Sequence, residues 1–103
     1  MDPEHPSLAA RHDELQKLQH WIDRAVVVDT LAYHVYIGTL VSIDGSFIEL
    51  TNVDVHDVRE SRFTKDQYVH QARKHGNSPN RNNTLVYKHQ CVSLSLLEDI
   101  IQF

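Results

Sequence analysis

Two runs of alternating apolar residues, joined by a tight-turn dipeptide, constrain the fold of this chain most strongly. In residues 33–43 the apolar side chains fall on one side of an extended strand: Tyr33, Val35, Ile37, Val41 and Ile43. Residues 47–55 also alternate, with Ile48 and Leu50 on one face and Phe47, Val53 and Val55 on the other. Asp44-Gly45 between the runs predicts a hairpin, because glycine tolerates the positive φ of such turns. Gly38 permits a sharp bend or a close backbone approach within the first strand.

Two other stretches have the patterns of helices. Over residues 8–22, apolar residues recur at three- and four-residue steps, which predicts an amphipathic leading helix that packs on one end of the strands. A second helix is predicted over residues 65–75, because Thr64 is a favourable N-cap residue and Gly76 is well placed to end it.

Together these patterns predict a single, mainly β domain over residues 1–103. The β-branched run AVVVDT predicts a first strand before the hairpin, and two short apolar runs predict two strands after it. We expect a strongly bent five-stranded antiparallel barrel with an N-terminal helix and a helical insert between strands 3 and 4. The predicted boundaries are 8–22 for the helix, 25–54 for strands 1–3, 55–84 for the insert and 85–101 for strands 4 and 5.

Composition indicates a soluble protein and gives no sign of catalytic chemistry. The chain is 41% hydrophobic and 23% charged, with one cysteine, Cys91, so an internal disulfide is excluded. It has no signal peptide and no run of 18 apolar residues, and we expect a cytoplasmic location. The histidines lack metal-ligand spacing, and there is no phosphate loop or nucleophile elbow. We therefore expect no enzyme activity, no metal site and no cofactor.

The net charge of −4 hides an uneven distribution of charge. The segment 59–84 carries two acidic residues against six basic ones: Arg59, Arg62, Lys65, Arg73, Lys74 and Arg81. The rest of the chain carries four basic residues against twelve acidic ones. This asymmetry predicts a basic patch that could contact phosphates, although a solvated helix face would give the same pattern.

Two short segments resemble the Sm/Lsm superfamily. The run Gly38-Thr-Leu40-Val-Ser-Ile-Asp44 is similar to the first Sm motif, in which a strand glycine is followed by an apolar residue and then by aspartate. The run LVYKH at residues 85–89 is similar to a segment of the Hfq family of bacterial Sm-like RNA chaperones. The resemblance covers residues 8–54 and 85–101, and it implies the Sm barrel and the binding of RNA.

The chain departs from these families in the pocket that binds the base. Ile48 stands where Sm proteins have a base-binding asparagine, and Ser46 stands where Hfq has a stacking aromatic residue. Phe47 is one step away and would face the other side of the strand. Lys88-His89 replaces the arginine-glycine pair of the second Sm motif. The pocket suggested by the resemblance therefore keeps basic and imidazole groups without a stacking surface.

Two functional hypotheses follow. The first is a ring-forming RNA-binding protein, a chaperone or RNP component, that binds uridine-rich or adenine-rich single strands. Its predicted RNA-binding residues are Lys88, His89 and Asp44 near the pore, and Arg59, Arg62, Lys65, Arg73, Lys74 and Arg81 in the insert. The second is an Sm-fold protein-interaction module that has lost the RNA pocket. Open strand edges predict a cyclic homo-oligomer of five to seven subunits, unless the insert covers an edge and limits assembly to a monomer or dimer.

Overall fold

A single antiparallel sheet of five strands forms the centre of the protein. The computed structural model describes residues 16–102. The strands are β1 (Ala25–Thr30), β2 (His34–Ile43), β3 (Phe47–Asp57), β4 (Arg81–Tyr87) and β5 (Cys91–Leu96). Their order across the sheet is β4-β3-β2-β1-β5. The mainly β architecture with five antiparallel strands, predicted from the sequence, is confirmed.

The helix between β3 and β4, here α1, spans Lys65–His75 as predicted. The Thr64 hydroxyl accepts a hydrogen bond from the Gln67 amide, and the Gln67 side chain accepts one from the Thr64 amide. This capping box begins the helix, and Gly76 at φ 84° ends it. In the predicted helix over 8–22, residues 16–19 are helical and 20–23 form a turn, while 8–15 lie outside the described residues.

The insert between β3 and β4 is shorter than predicted. β3 continues to Asp57 and β4 begins at Arg81, so the insert covers residues 58–80 rather than 55–84. Asn80 extends the pairing, because its side chain accepts from Val55 N and donates to Val55 O, both at 3.1 Å. Its backbone amide also donates to Val53 O at 2.8 Å. This side-chain mimicry of strand pairing leaves no periodic signal in the sequence.

The interior of the curved sheet holds one apolar cluster, which we call the interior cluster. It contains residues from all five strands: Val26, Val28, Leu40, Ile48, Leu50, Val53, Val86 and Leu96. β4 and β5 are opposite edges of the sheet, yet Val86 and Leu96 share this cluster, so the sheet curls around it. Within residues 16–102 no strand ladder joins β4 to β5. A closed barrel therefore remains a prediction.

The predicted orientation of Val53 and Val55 is wrong. Val53 is fully buried in the interior cluster together with Ile48 and Leu50, which were expected on the opposite face of the strand. Val55 packs against the same cluster. The cause is a bulge: Asn52 has a positive φ of 51°, and the β2–β3 register shifts opposite Gly38. A Cβ at Gly38 would lie 3.1 Å from Thr51 O, so this close approach favours glycine.

Strand β2 also changes face along its length, which the simple alternation did not predict. Val35 and Ile37 lie on the outer face of the sheet, whereas Ile43 packs against the interior cluster and Val41 is exposed. A second register irregularity, between residues 40 and 42, accounts for the change.

Helix α1 covers the outer face of β1 and β2. Its buried residues Val69 and Ala72 pack with three strand residues in an outer cluster: Val27, Val35 and Ile37. Lys65 ties the start of the helix to the β1–β2 connection, because its Nζ lies 2.7 Å from Asp29 Oδ1 and 2.7 Å from Ala32 O. The insert thus completes a second core on a sheet face that the five strands alone would expose.

None of the helices within residues 16–102 combines the length and apolar character that a bilayer span requires.

Candidate nucleic-acid interface

The β2–β3 turn is built around the carboxylate of Asp44. Its Oδ1 accepts hydrogen bonds from Ser46 N at 2.7 Å and Phe47 N at 2.8 Å. These two bonds, with the nearby charge of Lys88, hold the pKa of Asp44 below its usual range. Asp44 was among the predicted RNA-binding residues. Its two hydrogen bonds to backbone amides give it a structural role, because they fix the shape of the turn.

A 3₁₀ turn at Lys88–Gln90 joins this turn to a second loop. Lys88 N donates to Ser46 O at 2.8 Å, and Leu31 N donates to Gln90 O at 2.9 Å. The backbone therefore bridges the β2–β3 turn and the β1–β2 connection. Lys88 is half-buried and His89 is exposed. We call the segments 44–47 and 87–90 together the turn surface.

Three aromatic rings run across the turn surface. Phe47 pairs with Tyr87 in the β3–β4 ladder, and their ring centroids lie 5.0 Å apart. The Tyr87 and His89 rings follow at 5.5 Å. Tyr87 is 56% exposed and His89 is exposed, whereas Phe47 is half-buried. Ser46 itself cannot stack on a base, but the rings of Phe47, Tyr87 and His89 lie beside it.

Sequence reasoning missed Tyr87, although it noted the LVYKH segment that contains it. Phe47 and Tyr87 lie 40 positions apart, and only the strand register brings them side by side. The available signal was the position of each residue: Phe47 follows the predicted Asp44-Gly45 turn, and Tyr87 lies in the LVYKH segment. Two aromatic residues in separate strands are a weak signal until the strand pairing is known.

A cavity of about 300 Å³ lies next to the turn surface. Its walls are mainly apolar, with Ile43, Ile48 and Leu94 among them, and two lysines contribute to the lining: Lys17 and Lys88. Lys17 was not predicted as a binding residue, because it lies in the amphipathic pattern of the leading helix. The structure therefore brings a second cation to the same region as Lys88.

Three of the six predicted basic residues make hydrogen bonds or ion pairs that reach beyond the adjacent residue. Arg59 donates from Nε and Nη2 to Asp57 at 3.1 and 2.7 Å, and its guanidinium lies 4.4 Å from the centre of the Tyr33 ring. Lys65 binds Asp29 and two carbonyl oxygens, and Arg73 Nε donates to Glu98 O at 3.3 Å. Lys65 therefore ties α1 to β1, Arg73 ties it to the segment after β5, and Arg59 pairs with the last residue of β3.

The other three basic residues of this segment differ in position. Arg62 and Lys74 are exposed within the insert. Arg81 is exposed too, but it begins β4 rather than lying in a loop, and its guanidinium donates to the neighbouring Asn80 carbonyl. The structure therefore does not gather the six into one basic patch, and it brings none of them into a described contact with the turn surface.

Comparison with solved structures shows which known fold this arrangement matches. The chain is similar to the Sm protein of Pyrococcus abyssii, whose structure was solved in complex with a uridine heptamer. The TM-score is 0.54 at 13% sequence identity, and the alignment covers 80% of this chain and 94% of that one. The chain has an Sm-like fold.

The Sm-like fold is shown by structure alone. No protein-family model matches the chain, and no curated protein matches it. In this Sm-like chain the β2–β3 turn and the β4–β5 turn meet through the hydrogen bond from Lys88 N to Ser46 O. The helical insert lies between β3 and β4, between the two segments that carry the resemblance.

Proposed function

We propose that this protein is a non-catalytic, Sm-like RNA-binding protein that binds uridine-rich or adenine-rich single strands on its turn surface. The hydrogen bond between Lys88 N and Ser46 O carries the proposal, because it assembles a cation, an imidazole and exposed aromatic rings from two distant segments. The uridine heptamer bound to the structurally similar Sm protein supports the ligand class. We further propose a cytoplasmic role as an RNA chaperone or RNP component.

Each group on the turn surface has a chemical role in this proposal. Bases stack on the Tyr87 and His89 rings, since every base has a π-face that an aromatic side chain can contact. Lys88 attracts the phosphate backbone, and each neutralised phosphate adds salt-dependent affinity. Asp44 keeps the turn in shape through its two amide hydrogen bonds.

A cyclic homo-oligomer is the proposed assembly. β4 and β5 are the two edges of the sheet, and each carries exposed apolar side chains: Leu85 and Tyr87 on β4, and Val92 on β5. Unpaired strand edges of this kind favour pairing with another chain. Pairing β4 of one subunit with β5 of the next is a head-to-tail contact, which closes into a ring when the rotation permits. Five to seven subunits remain the proposed size.

RNA binding is tested by fluorescence anisotropy with a labelled uridine-rich oligonucleotide at low salt. Lys88→Ala combined with His89→Ala is expected to weaken binding strongly, because a ring repeats the loss in every subunit. Neutralising the exposed pair Arg62 and Lys74 is the matched control, and it should mainly flatten the dependence of affinity on salt. Wild-type protein that binds neither uridine-rich nor adenine-rich RNA at low salt contradicts the proposal.

A protein-interaction module is the second candidate function. The internal contacts of Arg59, Lys65 and Arg73 favour it, because they remove half of the predicted phosphate-binding cations from that role. The exposed apolar edges of β4 and β5 suit a protein partner as well as a second copy of this chain. The absorbance ratio at 260 and 280 nm of the purified protein separates the two candidates, since bound nucleic acid raises it.

A further inference from the structure

A cavity lined by both polar and apolar groups lies between the insert and β3, separate from the residues of the turn surface. Its volume is about 400 Å³, within the range of small-ligand sites. The lining combines hydrogen-bonding and aromatic groups: Asp54, His56, Phe63, Tyr68, Gln71 and His75. We call it the insert cavity.

Two of its polar side chains, Asp54 and Tyr68, have unused hydrogen-bonding capacity. Asp54 is 92% buried, and its Oδ2 accepts one hydrogen bond, from Ser78 N at 3.0 Å. A carboxylate offers about four acceptor positions on its two oxygens, so most of them remain for a ligand. The Tyr68 hydroxyl is buried and forms no well-aligned hydrogen bond among the described residues, although the Asp54 carboxylate lies close enough to interact with it. Burial and the neighbouring Asp54 raise the pKa of Tyr68, which keeps the hydroxyl protonated as a donor.

A purely structural role explains only part of this arrangement. Ser78 and Asp54 fix the chain after α1, and His56 Nε2 lies 3.5 Å from Phe63 O. None of these contacts engages the Tyr68 hydroxyl, which has only the neighbouring Asp54 carboxylate to interact with and forms no well-aligned bond to it. The Tyr68 ring is already held by packing, since it stacks on His56 at 4.0 Å and 9°. Phenylalanine would fill the same packing role without the unpaired hydroxyl.

We propose that the insert cavity binds a guanine base, as a free nucleotide or within single-stranded RNA. Guanine presents two adjacent N–H donors, N1–H and the exocyclic amine, which match a carboxylate such as Asp54. Its O6 acceptor matches a donor, either the Tyr68 hydroxyl or the Gln71 amide. Adenine offers an acceptor at N1 and would place a lone pair against the carboxylate, and uracil offers a single N–H donor between two carbonyl groups. The carboxylate therefore selects guanine.

The surroundings of the cavity suit a nucleotide as well as a base. Phe63 is 44% exposed in the lining and can stack on an aromatic ligand. Lys74 lines a neighbouring cavity of about 190 Å³ that shares Gln71 with this one. A phosphate attached to the bound guanosine can be neutralised there by the lysine.

Isothermal titration calorimetry with 5′-GMP and 5′-AMP, on the full chain, tests this site. We expect binding of 5′-GMP and much weaker binding of 5′-AMP. Asp54→Asn should lower GMP affinity about tenfold or more, since hydrogen bonds to a charged acceptor are the stronger class. The amide introduced by Asp54→Asn retains a carbonyl oxygen that can accept the hydrogen bond from Ser78 N. Tyr68→Phe should lower affinity about two- to tenfold, without a loss of thermal stability.

Further binding measurements distinguish the insert cavity from the turn surface. They also distinguish free guanine nucleotide from guanine within RNA. Tyr87→Ala should leave GMP binding unchanged, and Asp54→Asn should leave binding of a pure uridine oligonucleotide unchanged. A single guanine placed in that oligonucleotide should tighten binding in wild type only if the base reaches the cavity within RNA. If it does not, while GMP binds, the source is the free nucleotide. Folded protein that shows no heat with millimolar GMP, or equal affinity for AMP, overturns the proposal.

Discussion

The turn surface and the insert contrast in how they use their charged and aromatic residues. On the turn surface, short backbone hydrogen bonds hold two loops together, and the aromatic rings remain on the outside. In the insert, three of the cations are engaged with carboxylates or carbonyl oxygens of the protein itself. The segment with the most positive charge in the sequence thus uses much of that charge to hold itself in place.

This difference shows that charge counted along a sequence measures neither exposure nor availability. Lys65 and Lys74 lie on the same helix and look equivalent in a charge count. The Lys65 side chain is 24% exposed and contacts three oxygen atoms, whereas Lys74 is exposed to solvent. Lys65 can therefore contribute to the stability of the fold, and Lys74 is accessible to a phosphate.

The largest effect is expected on RNA affinity. It is seen by comparing one exposed aromatic residue of the turn surface with one of the insert. Tyr87→Ala should weaken binding of a uridine-rich oligonucleotide by about 1–3 kcal/mol for each base that stacks there. Phe63→Ala in the insert should leave that affinity within about twofold, because Phe63 lies outside the turn surface. Anisotropy titrations of both variants measure the difference. Equal losses would mean that the insert, and not the turn surface alone, contacts uridine-rich RNA.

A smaller effect is expected on the free energy of unfolding, when the two lysines of α1 are replaced separately. Lys65→Met should lower the free energy of unfolding by about 1–2 kcal/mol, because it leaves Asp29 and two carbonyl oxygens without their donor. Lys74→Met should change it by less than about 0.5 kcal/mol, as is usual for an exposed residue. Urea denaturation followed by circular dichroism gives both values. Similar values for the two variants would remove the distinction between structural and accessible cations.

The smallest effect concerns the pH dependence contributed by Arg59. Its side-chain and backbone hydrogen bonds to Asp57 lower the pKa of that carboxyl to about 2, from an ordinary 3.8. The ionised carboxylate is favoured in the folded state, so the stabilisation is present above pH 3.8 and lost as pH falls through about 2. Arg59→Gln should lower Tm at neutral pH, and the difference from wild type should shrink in acid.

Arg62→Gln is the matched control for this pH series, since Arg62 is an exposed arginine of the same insert. Its Tm should follow that of wild type throughout. A constant difference between Arg59→Gln and wild type down to pH 2 would show that Arg59 stabilises the fold through its stacking on Tyr33 rather than through Asp57.

The sequence by itself determined the local elements of the fold. The Asp44-Gly45 hairpin, the first strand at Ala25–Thr30 and the capped helix at Lys65–His75 all depend on residues near one another in the chain. Turn residues, caps and β-branched runs act over a few positions, so their signals survive without tertiary context. The same locality explains why the Sm-like order of elements was visible in the sequence.

Only the tertiary structure decided which residues face the core and which are brought together. The bulge at Asn52 moved Val53 into the interior cluster, and strand register placed Phe47 beside Tyr87. A one-residue shift reverses the faces of every following side chain, and nothing in the alternation itself marks where the shift occurs. The contacts of Lys65 likewise span more than thirty positions. Their partners become apparent only when the helix is packed on the sheet.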